Sequence, residues 1–178
     1  MRETFPQGSV IFCDDIRQEI GGKSSFMGTY FDQIYVGTDF PAVIPKLCVF
    51  ITFIESIDAK PRKVTINLFL PGDAEDAPSG RAIMPFDEIL PRSSRKTATG
   101  KDAKKIIGRL AVTFSPLNLK QAGELRVVAS HENGELELGK IEIVYDPKVF
   151  ASPMAVNAKA RDGAKSADQD SAHLSDRA

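Results

Sequence analysis

Hydrophobic and polar residues alternate with a period of two along much of the chain. The clearest apolar runs are Val64, Ile66, Leu68 and Leu70, then Leu110, Val112 and Phe114, then Leu125, Val127 and Ala129. Successive side chains of a β-strand point to opposite faces, so these runs indicate strands with one buried and one wet face, as in antiparallel sheets. The pattern predicts seven strands, over residues 9–14, 23–31 with a continuation at 33–36, 46–55, 63–70, 105–115, 124–130 and 135–145.

Turn-forming residues separate these segments. Glycine, proline and asparagine occupy almost every junction, as at Gly21-Gly22 and Asn133-Gly134. Asn-Gly favours a two-residue hairpin because both positions must tolerate positive φ, so we expect this pair to join the last two strands. Short strands at this spacing predict an all-β fold, an antiparallel Ig-like or C2-like β-sandwich of about seven strands.

The last predicted strand changes parity partway along its length. Leu138 is even-numbered, whereas Ile141 and Ile143 are odd-numbered. A one-residue slip would turn half of these side chains into water. We therefore predict a β-bulge at Gly139-Lys140, which restores one buried face.

The predicted strand at 46–55 is apolar on both faces, because Cys48, Phe50 and Ile54 lie on the parity opposite to Leu47, Val49, Ile51 and Phe53. A central strand covered on both sides has this composition. Two covers remain open: the chain's own segment 71–104, or a protein partner or second copy of the chain. The segment would contribute Ile83, Met84, Phe86, Ile89 and Leu90. The candidate partner-binding residues are Phe50, Ile54, Phe69, Phe86 and Ile89.

Segment 71–104 reads as one long connection that begins acidic, holds a short helical turn at 86–90, and ends basic. Loops of this length in compact domains are usually functional or disordered. The candidate anion-binding residues are Arg92, Arg95, Lys96, Lys101, Lys104 and Lys105. They could neutralise phosphates, but the run has no aromatic residue for base stacking. A solvated loop is therefore favoured over a nucleic-acid site.

The composition changes near the C-terminus. Residues 149–178 are mostly Ala, Ser, Asp, Lys and Arg, too polar to offset the entropy of ordering, so they are predicted to form a disordered tail behind a domain at 1–148. The formal net charge of −1 provides no general attraction to nucleic acid or anionic lipid.

Two cysteines, Cys13 and Cys48, lie in apolar runs. Buried thiols are expected, and a bridge between the two sheets of a sandwich is the alternative. The N-terminus lacks the apolar segment of a signal peptide, and no apolar stretch approaches the roughly 18 residues of a membrane span. A soluble cytoplasmic protein without membrane contact is expected.

No arrangement of residues indicates a catalytic centre or a cofactor. Gly22-Lys23-Ser24 resembles the end of a phosphate-binding loop, but Arg17 stands where the first glycine is required and a strand follows instead of a helix. His131 and His173 lie at a hairpin tip and in the tail, where neither is oriented as a general base. The aspartates near strand ends, including Asp14 and Asp15, are typical of turns, and calcium binding stays an alternative. We expect no enzyme activity, no cofactor and no metal.

Several strings of the sequence resemble a family of short bacterial and phage proteins known only as a domain of unknown function. They are FCDDIRQE at 12–19, GKSSFMGTY at 22–30, Phe40-Pro41 and Pro45-Lys46-Leu47. The C-terminal part, from Gly123 into the Asn133-Gly134 hairpin, is similar to the closing strands of Ig-like sandwiches. The resemblance covers about residues 9–146 and implies fold and compartment, while it leaves function open.

The sequence therefore favours a non-enzymatic binding or structural module that contacts a protein partner or forms a homo-oligomer. A phage-associated setting is implied by the resemblance alone. Two alternatives are nucleic-acid or anion binding through residues 92–105, and a calcium-dependent or carboxylate hydrolase activity.

Overall fold

The computed structural model describes residues 6–56, 63–85, 105–131 and 134–149. These ranges contain eleven strands and no helix, which confirms the all-β prediction. The strands are β1 (Gln7–Glu19), β2 (Lys23–Tyr30), β3 (Gln33–Val36), β4 (Ala42–Ile44), β5 (Leu47–Ser56), β6 (Lys63–Phe69), β7 (Gly80–Pro85), β8 (Lys105–Phe114), β9 (Leu117–Leu119), β10 (Gly123–His131) and β11 (Gly134–Tyr145).

Two sheets form the layers of a β-sandwich. The first has the order β2-β1-β5-β8, and the second has the order β3-β11-β10-β6-β7. All neighbours pair antiparallel except β3, which runs parallel to β11. A short pair, β4-β9, stands apart from both sheets.

The core lies between the two sheets, where the apolar face of one sheet packs against the apolar face of the other. β5 contributes Leu47, Val49, Ile51 and Phe53, all fully buried. The second sheet contributes Val64, Ile66, Leu68, Leu125, Val127, Ala129, Ile141 and Ile143, which are also buried. The period of two therefore identified the inward face of these strands correctly, because burial of one face is what produces the alternation.

β1 packs across β11 at close range. A Cβ added at Gly8 would lie 2.4 Å from Leu138 Cδ2, and one added at Gly139 would lie 3.3 Å from Val10 Cβ. This contact aligns the edges of the two layers, so that the outer strands β2 and β3 stand on the same side of the sandwich.

The parity change in β11 is a bulge, as predicted, but it lies slightly earlier. Val127 pairs with Gly139 and Val128 pairs with Glu137, so Leu138 is the extra residue. Leu138 is 7% exposed and belongs to the core, together with Ile141. The bulge therefore allows the even-numbered Leu138 and the odd-numbered Ile141 both to face the core.

Two predictions about the strands were wrong, and two short strands were not predicted. Residues 33–36 do not continue β2 but cross to the other sheet, where Ile34 pairs with Ile143. The connection 71–104 is not one loop, because β7 lies within it and pairs with β6 along the edge of the second sheet. The short strands β4 and β9 were not predicted, since three residues are too few to show a period.

β5 is central, as its two apolar faces indicated, with β1 on one side and β8 on the other. Cys13 and Cys48 are direct partners across β1 and β5, and both are free, buried thiols. The alternative of a bridge between the two sheets is therefore wrong, because both residues belong to the same sheet. In the described ranges no helix is long and apolar enough to cross a membrane.

Candidate functional site

A recess opens on the side of the sandwich where β2 and β3 form the sheet edges. We call it the β3 recess. It has a volume of about 670 Å³, and its walls include Asp14, Tyr30, Ile34, Tyr35, Ile44 and Lys46. A volume of this size lies in the range of pockets that hold small molecules or peptide side chains.

The floor of the β3 recess is apolar. Ile34 and Val36 alternate with Tyr35 along β3, and both are buried, as is Ile44 of β4. Val43, between the two inward residues of β4, faces outward and is 58% exposed. The alternation in these short strands therefore places apolar surface both inside the recess and on its rim.

Tyr30 and Asp14 form the polar wall on the side of the first sheet. The Tyr30 hydroxyl donates a hydrogen bond to an Asp14 carboxylate oxygen. Burial of the ring, together with this bond and the negative charge of Asp14, raises the pKa of Tyr30. The tyrosine therefore remains a neutral donor throughout the physiological range of pH.

The approach of Asp14 depends on Gly28. Gly28 has φ of +63°, in the left-handed region, and a Cβ added there would overlap Asp14 Oδ2. Any side chain at position 28 would collide with the carboxylate, so the glycine is what admits Asp14 beside Tyr30.

Lys46, which also lines the β3 recess, is already paired. Its Nζ lies 2.5 Å from Asp15 Oδ1, and Arg17 Nε lies 3.6 Å from Asp15 Oδ2. The hydrogen bond from Lys46 lowers the pKa of Asp15, and the same bond raises the pKa of Lys46. Asp15 thus holds the cationic groups, whereas Asp14 has no ion-pair partner among the described residues.

A second, smaller cavity of about 270 Å³ adjoins the β3 recess and shares Tyr30 and Tyr35 with it. Phe31 and Asp32 contribute to its walls, and Phe31 is 86% exposed. The Tyr35 hydroxyl donates to Gln33 Oε1 at 2.6 Å, which holds the phenol along the strand. The two cavities together form a continuous aromatic border along β3.

The outer face of β5 has a cover that the sequence did not predict. The rings of Phe26 and Phe50 meet edge-to-face, with centroids 4.9 Å apart. Ile83 and Met84 do not cover this face, because they lie on β7 in the other sheet, where Met84 is buried in the core and Ile83 is 60% exposed. The hairpin of β1 and β2 therefore covers part of the face assigned to segment 71–104.

The remaining candidate partner-binding residues have different surroundings. Ile54 is half-buried beside its β8 partner Ile107, which is 40% exposed. Phe69 is 6% exposed and lies under the Arg126 guanidinium, whose Cζ is 5.1 Å from the ring centroid. Phe86 and Ile89, with the predicted helical turn at 86–90, lie outside the described residues.

The candidate anion-binding run is described at one position only. Lys105 begins β8 and is exposed, opposite Ser56 of β5. The other members lie outside the described residues, as does the predicted tail from residue 150 onward; they are Arg92, Arg95, Lys96, Lys101 and Lys104.

The acidic residues at strand ends include one that organises a turn. Asp73 Oδ2 accepts hydrogen bonds from the backbone N–H groups of Leu70 and Ser79, both at 2.8 Å, which is the turn role expected of such aspartates. Across the described ranges, no group of three or more His, Cys, Asp or Glu side chains could hold a metal ion. His131 ends β10 next to the hairpin, and its ring centroid is 6.5 Å from that of Phe53.

The alternation of apolar and polar residues does not reveal the β3 recess. Its residues come from the end of β2, from β3 and from the segment leading into β5, and each part is too short to show a periodic pattern. One local signal was available: Tyr30, Phe31 and Tyr35 are three aromatic residues within six positions. Phe31 and Tyr35 are exposed, and aromatic residues are enriched at binding surfaces.

Comparison with known proteins finds a match among family models. No curated protein and no solved structure matches the chain. A family model, described as a family of unknown function (DUF6941), matches residues 8–144, which span β1 to β11 almost completely. The chain belongs to this family of unknown function, DUF6941.

Proposed function

We propose that the protein is a non-enzymatic binding module that holds a segment of a partner protein in the β3 recess. The observation that carries this proposal is the recess itself, a cavity of about 670 Å³ with an apolar floor and two tyrosines at its walls. Buried apolar surface surrounded by tyrosine is characteristic of the centre of protein interfaces.

Exposed apolar side chains close to the recess support a macromolecular partner over a small molecule. Phe31 is 86% exposed, Val43 58%, Tyr35 40% and Tyr145 41%. Tyr145 pairs with Val36, so it stands at the same end of β3 as the recess. Apolar residues grouped around a cavity gain free energy when a partner removes them from water, at roughly 25 cal/mol per Å².

The polar groups of the recess support binding over catalysis. Asp14 accepts a hydrogen bond from the Tyr30 hydroxyl, and Asp15 accepts one from the Lys46 ammonium group. Here one carboxylate holds a tyrosine and the other holds a lysine, an arrangement that fixes the walls of a pocket.

The proposal is tested by selecting random peptides on the immobilised protein and measuring their affinity for variants. We expect Tyr35→Ala and Val43→Asp to weaken the selected peptides at least about tenfold, as for residues at an interface centre. Ile20→Ala is the control, because Ile20 is 97% exposed at the β1–β2 turn and is remote from the recess. Peptides that bind the two recess variants as tightly as the wild type would contradict the proposal.

Light scattering on the same proteins measures their oligomeric state and so tests whether the partner is a second copy of the chain. A dimer of the wild type that dissociates in Val43→Asp would mean that the recess holds a segment of an identical chain. A monomer that binds the selected peptides supports a different protein as partner.

A further inference from the structure

We infer that the partner segment binds as an extended strand added to the open edge of β3, with basic side chains directed toward Asp14 and Asp32. This inference rests on the proposed function, since it specifies the partner of the same recess. The evidence is the direction of the β3 backbone groups, the length of the edge and the charges of the walls.

β3 has one neighbour in its sheet, β11, so its other edge is unpaired within the described part of the chain. Glu142 N–H donates to Asp32 C=O at 3.2 Å, and Asp146 N–H donates to Val36 C=O at 3.1 Å. Backbone groups of successive residues in a strand point to alternate sides. The even-numbered residues therefore face β11, and the N–H and C=O of Tyr35 face the open side.

The open edge is suited to a short strand. Residues 33–36 span about 13 Å at roughly 3.3 Å per residue, enough to pair with three or four residues of a peptide. The recess runs beside this edge, since five consecutive residues, 34–38, line it. A peptide placed there would form main-chain hydrogen bonds to β3 and direct alternate side chains to the apolar floor, which is the usual mode of strand addition.

The charges of the walls favour a basic peptide. Asp14 lines the β3 recess and Asp32 lines the adjoining cavity, and neither has an ion-pair partner among the described residues. Lys46 and Arg17, the nearby cations, are held by Asp15. Two carboxylates without a cationic partner beside an apolar floor match a segment that alternates apolar and basic residues.

The probe for this inference is a capped, fluorescently labelled peptide of eight residues that alternates valine and lysine, measured by fluorescence anisotropy. Two further versions carry N-methyl groups on the backbone nitrogens of the valines alone or of the lysines alone. Each version blocks one edge of the peptide strand, because alternate N–H groups point to alternate edges. We expect one version to bind at least tenfold more weakly and the other to retain binding.

A protein variant tests the same hydrogen bonds from the other side. Tyr35→Pro removes the N–H that faces the open edge and leaves the ladder to β11 intact, as proline is tolerated on edge strands. Tyr35→Thr is the matched control, since it also removes the ring but keeps the N–H. We expect Tyr35→Pro to bind the unmethylated peptide at least tenfold more weakly than Tyr35→Thr does.

Charge is tested by a peptide that alternates valine and glutamate and by the double variant Asp14→Asn/Asp32→Asn. We expect the acidic peptide to bind at least tenfold more weakly than the basic one, and the double variant to reduce this difference. Equal affinity of both methylated peptides, or of the acidic and basic peptides, would overturn the inference. So would failure of the valine–lysine peptide to bind. Selected peptides that still depend on Val43 would then leave the proposed function standing without strand addition.

Discussion

The ring of Phe26 packs edge-to-face on the ring of Phe50, with their planes at 66° and their centroids 4.9 Å apart. Phe50 lies on the outward face of the central strand β5, and Phe26 lies on β2, the edge strand of the same sheet, which pairs with β1 rather than β5. The contact therefore joins the β1–β2 hairpin to the apolar outer face of β5. The contact explains why position 50 holds an aromatic residue, whereas a strand with its outer face in water would have a polar residue there.

We expect Phe26→Ala to lower the free energy of unfolding by about 1–2 kcal/mol, because it exposes Phe50 and removes an aromatic pair. A double-mutant cycle with Phe50→Ala should give a coupling energy of about 0.5–1.5 kcal/mol. Urea denaturation monitored by circular dichroism measures these values. Ile20→Ala, at the exposed tip of the same hairpin, should leave the midpoint unchanged, and additive effects of the two phenylalanine substitutions would refute the pairing.

The thiol of Cys13 links stability to alkaline pH. Burial, followed by the adjacent Cys48 thiol and the charges of Asp14 and Asp15, raises the pKa of Cys13 from 9.0 to about 11. Between these values the unfolded chain has lost the proton that the folded chain retains, so stability is complete below pH 9 and falls as pH rises toward 11.

The measurement is the urea midpoint of the wild type and of Cys13→Ala at pH 7, 9, 10 and 11. We expect the wild type to lose more stability between pH 9 and pH 11 than the variant, because alanine does not titrate. Tyr30, whose pKa is also raised, acts in the same direction in both proteins, because burial and Asp14 are the larger causes of its shift. Parallel pH profiles for the two proteins would rule out this role of Cys13.

Gly28 is expected to be more sensitive to substitution than Gly22. Both have left-handed backbone conformations, with φ of +63° and +73°, so an alanine at either position costs about 1–2 kcal/mol. At Gly28 the added Cβ also meets the Asp14 carboxylate, whereas nothing lies within 4 Å of the Cβ position at Gly22. Thermal denaturation of Gly28→Ala and Gly22→Ala measures the difference in stability between the two variants.

We expect Gly28→Ala to have the lower melting temperature, because Asp14 must move away from Tyr30. Equal melting temperatures would mean that the Asp14 side chain moves without a loss of stability. Gly28 would then be required only for its left-handed backbone conformation. Binding of selected peptides to Gly28→Ala should also weaken, since the displaced carboxylate forms part of the recess wall.

Local patterning predicted the strands that are long enough to repeat. β5, β6, β8, β10 and β11 were located within one or two residues at each end, because burial of one face fixes the side-chain period. The bulge in β11 followed from the same rule, since Leu138 and Ile141 have opposite parity and both had to be buried. The central place of β5 followed from apolar residues on both of its faces.

The alternation of apolar and polar residues does not indicate which strands pair with each other. Residues 33–36 looked like an extension of β2, but a parallel ladder to β11 places them in the other sheet. Nothing in a four-residue run states which distant strand will accept its hydrogen bonds. β7 was missed for a similar reason, because Ile83 and Met84 are adjacent apolar residues and this short run has no alternation that distinguishes an edge strand from a loop.

The amino-acid sequence by itself determined the class of fold, the inward face of each long strand and the burial of both cysteines, because these properties depend on hydrophobicity over neighbouring residues. Tertiary structure alone decided that Cys13 and Cys48 are partners in one sheet, that Phe26 covers Phe50, and that β3 leaves an open edge beside a recess. Each of these relationships joins segments far apart in the chain, and their contact depends on how the layers align.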